Sequence, residues 1–395
     1  MGTARPLGST EKRAAGNTQH APACTLAEFE QCDRVVKPLR SLIGGLLLLM
    51  GLSAAIPVRA VILFGSGDPL YNTTPPAGEL TDSGWQWQTD AGFCATAVGP
   101  HHAVTARHLG LGGGSVLSFA GLSFPVVSVA NAPGSDFQLV ELAGRLPGFA
   151  PLYTGADEVG RMLVLHGRGT QRGDAVLAPD GGTELRGWRW GGYDGRLRWG
   201  TNTVAGTDAG TSEQGLAGEL LIATFGLTAT GDTGTFSTGD SGGGDFLMDD
   251  DGLWKLAGIN YAVQGSFNTT TNGGGFFAAL FDRRGFFEQN NDNLWAVDET
   301  QADEPGTVLI ATRVSSYAAW VAEKIAQPTD VKWPVLQSAA TVEGPFAEHS
   351  IYAVNPAKQQ ITVTVPTGDQ FFRLDGAPVL APPVRQGAQL VFSYH

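Results

Sequence analysis

Cysteine is the scarcest reactive residue in this 395-residue chain: there are three, Cys24, Cys32 and Cys94, and two of them precede residue 37. A disulfide framework is therefore excluded for the remainder, which must rely on a buried core. Charged residues make up only 16%, and 25 Lys/Arg stand against 38 Asp/Glu, a formal charge of −13. So little basic surface argues against nucleic acid as a partner, because phosphate recognition needs clustered cations. Long apolar runs are also missing. The one extended run, Leu42 to Ile56, is about 15 residues, short of the roughly 20 that span a bilayer. Histidine is sparse too, at seven positions, so each is a candidate for chemistry. What is abundant is glycine, at 55 positions, within a chain that is 42% hydrophobic, enough apolar material for one sizeable domain and something smaller.

The apolar run has basic residues before it, Lys37 and Arg40, and Pro57-Val58-Arg59-Ala60 after it. Residues 37–60 thus read as a secretory signal peptide cut near Ala60, with a membrane anchor as the rival reading. Residues 1–36 read as a leader extension. Signal peptides usually begin close to their basic region, so a translation start nearer residue 37 is expected. Removing residues 1–60 takes away seven basic and four acidic residues, leaving 18 against 34 and a formal charge of −16. The mature protein is expected to be secreted or periplasmic and not to span the membrane.

Beyond the leader, short runs rich in β-branched and aromatic residues alternate with Gly, Asn, Asp and Pro: HAVTA, SVLSFAGLSFPVVSVA, DFQLVEL, RMLVLHG, LRWGTNTV, LLIATFG, LWKLAGINYAV and GFFAALFD. Such spacing predicts an all-β sandwich or barrel. One helical pattern is present, SSYAAWVAEKIA over 315–326, with Ser315 or Ser316 as its cap and Gln327-Pro328 as its stop. From Pro328 the chain is richer in proline and carries HSIYAV, QQITVTV and QFFRL, predicting a small β-sandwich-like module over 328–395. Domain organisation is therefore read as 1–36, 37–60, 61–327 and 328–395.

The stretch TFSTGDSGGGDF, residues 235–246, places Ser241 among glycines. A serine becomes a nucleophile only with a base, an orienter for that base, and donors for the oxyanion. The pieces Thr105-Ala106-Arg107-His108, Asp136-Phe137-Gln138-Leu139 and Gly239-Asp240-Ser241-Gly242-Gly243 occur in that order, followed by WKLAGINYAV and ATRVSSYAAWV. Over roughly residues 80–326 they resemble the chymotrypsin/trypsin family of serine peptidases. The resemblance implies two six-stranded antiparallel β-barrels with a C-terminal helix and a triad of His108, Asp136 and Ser241. It also implies an oxyanion hole from the N–H groups of Gly239 and Ser241, and an Asp240 turned inward to a buried partner.

Several departures accompany the resemblance. Cys94 matches a family cysteine whose partner position holds Leu109, so the bridge is lost and Cys94 reads as a buried small hydrophobe. Arg107 replaces the usual alanine and, on a strand, would point away from His108. No activation sequence is evident. Leader removal would expose Val61-Ile62, whose amine is one candidate partner for Asp240; the rival is internal hydrogen bonding, with 61–66 as an edge strand. His101 and His102 read as surface residues, Asp249 to Asp251 as a solvated turn rather than a metal site, and 264–306 as an inserted hairpin.

For the substrate pocket the resemblance implies Thr235 at the floor, Tyr261, Ala262 and Val263 along one wall, and Leu309 near the other. A neutral floor disfavours Lys or Arg before the cut and leaves neutral, small to medium side chains. The expected activity is hydrolysis of peptide bonds in protein or peptide substrates through an acyl-enzyme, with no metal or cofactor. The alternative is a catalytically silent member of the fold used for binding. Under either reading the C-terminal module can serve as a surface or glycan attachment device.

Overall fold

The computed structural model describes residues 61–395 apart from 211–217, 290–293, 298, 304 and 328–331. The leader, the signal segment with its cut near Ala60, Cys24, Cys32 and the boundary at Pro328 lie outside the described residues. A two-residue strand, β1 (Ile62–Leu63), opens the chain. The first half is built from β2 (Thr96–Gly99), β3 (His102–Ala106), β4 (Val116–Phe119), β5 (Leu122–Asn131) and β6 (Phe137–Leu142), in the sheet order β2-β3-β6-β5-β4. Alternation along β5 turns Leu122, Phe124 and Val126 inward, where they meet Leu117, Val140 and Leu142. A six-stranded barrel was expected here; the sheet has five strands. Residues 85–91 contribute a single-turn 3₁₀ helix, Trp85–Trp87, and two isolated bridges, Gln88 to Thr96 at one edge and Ala91 to Ser118 at the other. These two bridges span the gap that a sixth strand would fill.

The second half is a closed barrel. Its strands are β8 (Met162–Gly167), β11 (Arg198–Asp208), β12 (Leu220–Phe225), β14 (Gly244–Met248), β15 (Trp254–Val263) and β20 (Thr307–Arg313). They close in the order β11-β12-β20-β15-β14-β8, all antiparallel, around Leu163, Leu165, Leu247, Ala257, Leu309 and Ala311. Closure removes the exposed edges that sheets otherwise present. The two halves share an apolar interface of Val104, Phe137 and Leu139 against Val164, Phe246 and Ile259. The helix α1 (Ala318–Ala326) joins that interface through buried Val321, preceded by Tyr317, which stacks on Phe137 at 5.4 Å. Its expected serine cap is absent. The chain enters through a 3₁₀ turn, Val314–Ser316, and Ser315 donates its hydroxyl to Glu158 at 2.7 Å instead.

The strands β9 (Thr170–Leu177) and β10 (Leu185–Tyr193) pair beside the barrel, and β13 (Gly234–Thr235) pairs with β1. The 264–306 segment is more than a hairpin. It supplies β16 (Ser266–Asn268), β17 (Phe276–Leu280), β18 (Phe287–Gln289) and β19 (Trp295–Ala296), which extend the β9-β10 pair into a six-stranded sheet. Phe267, Leu280 and Phe286, buried against Val176, hold it there.

After α1 come β21 (Val335–Ala339), β22 (Ala347–Glu348), β23 (Tyr352–Asn355), β24 (Gln360–Thr364), β25 (Phe371–Asp375), β26 (Val384–Gln386) and β27 (Gln389–Ser393). They form two sheets over one core of Leu336, Tyr352, Ile361, Val363 and Phe392, the sandwich-like arrangement expected. The larger sheet, β26-β27-β24-β23-β7, is completed by β7 (Gly144–Arg145) from the first half. Gly144, at φ +123°, makes that pairing possible, because a Cβ there would overlap the Tyr352 carbonyl.

Candidate active site

Strand β3 ends at Ala106, and the next three residues turn in a 3₁₀ helix, Arg107–Leu109. Pairing of Ala106 with Phe137 sets Asp136 directly beside this turn. The Asp136 carboxylate is buried (1% exposed) and accepts two hydrogen bonds from His108: the main-chain N–H to Oδ1 at 2.8 Å, and ring Nδ1 to Oδ2 at 2.6 Å. A buried carboxylate needs such donors. Because it accepts, the bond assigns the proton to Nδ1 and leaves Nε2 as an acceptor facing the open side, where the His108 side chain is 40% exposed. Arg107 was expected on a strand; it lies in the turn, and its guanidinium makes no ion pair among the described residues.

The Ser241 turn is clamped on every side. Gly239 and Gly242 adopt φ +97° and +84°. A Cβ at 239 would lie 3.0 Å from Gly169 Cα and from the Tyr193 ring, and one at 242 would overlap the Thr105 hydroxyl. Asn260 of β15 donates its side-chain amide to the Asp240 and His166 carbonyls at 2.9 and 2.8 Å, while its own carbonyl accepts from Gly242 N–H at 3.0 Å. The Cys94 thiol, buried and unpaired, meets the Gly239 carbonyl at 3.7 Å, and burial pushes the thiol up to about 12. Within the turn, the amides of Asp240, Gly242 and Gly243 donate to protein carbonyls. Those of Gly239 and Ser241 bond to no protein group among the described residues. Gly242 sits against Thr105 and Leu109, so the turn packs on the segment that carries His108. The Ser241 hydroxyl and His108 Nε2 make no hydrogen bond to a described residue.

Asp240 is fully buried and accepts from Gly169 N–H at 2.6 Å, from Ser237 N–H at 2.7 Å and hydroxyl at 3.1 Å, and from the main-chain N–H of Val61. Burial outweighs these donors and raises the carboxyl to about 6. Both alternatives read from the sequence meet here: internal hydrogen bonds hold the carboxylate, and the Val61 nitrogen reaches it.

Thr235 is fully buried in β13, its hydroxyl without a partner. Tyr261, Ala262 and Val263 are half-buried at the end of β15, and the Tyr261 ring lies 6.3 Å from that of His108. Leu309 pairs with Val263, but its side chain belongs to the barrel core. His101 and His102 are half-buried rather than exposed, and His101 packs edge-on against Trp333. Asp249 and Asp251 are held by Lys255, and Asp250 by Arg161. Asn260, Ser237 and Gly169 were not singled out from the sequence. Their contributions are one side-chain amide, one hydroxyl and main-chain N–H groups, which leave no motif.

No family model matches the chain, and no curated protein matches it. Among solved structures it is similar to neuropsin, described as a serine protease expressed in the limbic system of mouse brain. The identity is 12%, the match covers 62% of this chain and 97% of that one, and the TM-score is 0.38. At these values the likeness assigns neither a residue nor an activity.

Proposed function

We propose that the chain is an exported serine endopeptidase. The observation that carries this reading is an Asp136–His108 couple, its carboxylate buried, beside a turn in which only the Gly239 and Ser241 amides are left without acceptors among the described residues. His108 Nε2 takes the hydroxyl proton as Ser241 Oγ bonds to the scissile carbonyl carbon, and Asp136 stabilises the imidazolium. The carbonyl oxygen, now negative, accepts from the two free amides. Collapse breaks the C–N bond, the amine leaves with the proton from His108, and water repeats the sequence to release the acyl group. Thr235, Tyr261, Ala262 and Val263 are assigned to the acyl-side pocket, for neutral, small to medium side chains; Leu309, turned into the barrel core, is left out of it. Among the described residues no helix is long and apolar enough to cross a membrane.

Mass spectrometry after fluorophosphonate treatment tests this. One adduct on Ser241, absent in Ser241→Ala and His108→Ala, is the expected result; an unlabelled, folded protein beginning at Val61 would overturn it. The unbonded Ser241 hydroxyl favours the second reading, a silent binding fold, which that negative result would select. Glycan attachment through the C-terminal region is supported by a cavity of about 680 Å³ lined by Trp333, Tyr352, Tyr394, Glu348 and Asp375.

A further inference from the structure

Arg168 is a buried cation without an anion. Its residue is 2% exposed, Nη1 donates to the Gly195 carbonyl at 2.6 Å, Nη2 donates to the Thr89 carbonyl, and Nε has no partner. No carboxylate among the described residues lies within ion-pair distance of it. Neutral carbonyls satisfy two of its five donors, and Asp90 and Asp194 act on its charge only from beyond ion-pair distance, an unfavourable way to bury a guanidinium. Burial accordingly lowers its proton affinity.

The side chain lines a cavity of about 530 Å³, together with Trp85, Gln88, Thr89, Asp90 and Arg196. Asp90, at the rim, accepts from Gly121 N–H. Arg196 is 58% exposed and only 3.8 Å from Asp194, which Arg198 already occupies at 2.8 Å. Two cations thus face one carboxylate across the cavity. Its wall also touches the Ser241 turn. The Arg168 main-chain N–H meets the Cys94 thiol, which meets the Gly239 carbonyl, and Gly169 packs on Gly239. This chain of contacts reaches the turn at Gly239, and the lining residue Gln88 accepts from Gly244 N–H at 3.2 Å just beyond it.

We propose that the Arg168 cavity binds a carboxylate of the peptide substrate, either an Asp or Glu side chain or a free C-terminal acid. This rests on the peptidase reading for the peptide's being a substrate, not for the binding itself. The carboxylate accepts from the unused Nη1 hydrogen, on the part-buried side of the guanidinium, and brings an anion within ion-pair distance.

The test uses the full chain as Ser241→Ala, so that binding is read without turnover. Fluorescein-labelled alanine hexapeptides carry Glu or Gln at position five, each as free acid and as amide, and binding is followed by polarisation. At least one carboxylate-bearing peptide should bind about tenfold or more tightly than the Gln amide. An advantage confined to Glu amide over Gln amide identifies the side chain, and one confined to Gln acid over Gln amide the chain end. Arg168→Met should bring all four peptides within about twofold of one another. Should that variant misfold, Arg196→Glu should cut the advantage severalfold. Equal binding of all four, no binding at all, or an advantage retained in folded Arg168→Met overturns the proposal. Failure of the peptidase reading looks different: an unlabelled Ser241 in the wild type with the carboxylate preference intact.

Discussion

Asp240 offers a quantitative test of how the Ser241 turn is set. Its carboxyl stands at about 6 against an ordinary 3.8, with burial as the main cause and the bonds from Gly169, Ser237 and Val61 opposing it. A shift of about 2 units corresponds to about 3 kcal/mol. Because the folded value is raised, no penalty exists below the unfolded value, where both states hold the proton. As pH rises from about 4 to about 6, the unfolded chain releases its proton and the native state keeps it, so about 3 kcal/mol of stability is lost. Above pH 6 the loss is complete. That is the behaviour expected when Val61 contributes a peptide N–H. If Val61 is the first residue of the mature protein, its nitrogen becomes an ammonium at the same place, and a buried ion pair replaces a weakly bonded carboxylate.

The comparison is between a protein beginning at Val61 and one carrying Gly-Ser before it, unfolded by denaturant between pH 4.5 and 7.5. Relative to the Val61 form, the extended form should lose up to about 3 kcal/mol across that interval, and Asp240→Asn should abolish that difference. The difference should persist until the Val61 amine titrates, near pH 8 or above. Asp245, Cys94 and Tyr193 share the field of Asp240 but are common to both proteins and cancel in the difference. Superimposable curves for the two proteins would refute the amine. A difference between the two proteins that survives Asp240→Asn would refute the assignment to this carboxyl.

Asp136→Asn should lower kcat by about 10⁴-fold with little change in KM for a small ester substrate, since it removes the tautomer control; a loss below tenfold would count against the triad. Gly239→Ala should cost about 1–3 kcal/mol in denaturant stability, because φ +97° is left-handed backbone. Asp245 is fully buried with neither oxygen partnered, and burial followed by the charge of Asp240 pushes its carboxyl well up. Asp245→Asn should therefore gain on the wild type as pH rises above about 4, by up to about 1.4 kcal/mol per unit; parallel stability curves would remove the idea. Glu158, fully buried and bonded to Arg313 by both oxygens at 2.8 Å, should cost about 3–5 kcal/mol when replaced by Ala in thermal unfolding. Truncation after residue 327 should yield an aggregating product in light scattering, because it strips β7 of its partner and uncovers Ala143.

Most barrel strands were legible because their inward residues are apolar and their neighbours are turns, as in HAVTA or LLIATFG, whose cores fill one face. The strands β9 and β10 were not, since TQRGDAVL and LRGWRWGGY read as charged and glycine-rich. In the fold, Arg172 lies 3.7 Å over the Trp188 ring and Arg189 lies 4.2 Å over Phe276, so cations cover aromatic faces that the pattern could not connect. The same division runs through the site. His108, Asp136 and Ser241, the residues proposed for catalysis, are visible because each stands in a short motif and the motifs follow one another in the order of the resemblance. The groups that aim them are an amide 20 residues away in Asn260, a thiol 145 residues away in Cys94, and main-chain N–H groups of Gly169 and Val61. Only the barrel register brings them to the turn. A substitution at Asn260 should accordingly disturb the turn as much as one at Gly239, although nothing local to Asn260 marks it. Replacing it with Ala removes the side-chain donor to the His166 carbonyl and leaves the Asp240 carbonyl with Gly243 N–H alone, at about 1–3 kcal/mol for a buried acceptor left unpaired. Slowed fluorophosphonate labelling of Ser241 in a folded Asn260→Ala protein would be the sign of a turn no longer held in aim, and an unchanged rate would mean that the glycines alone fix it.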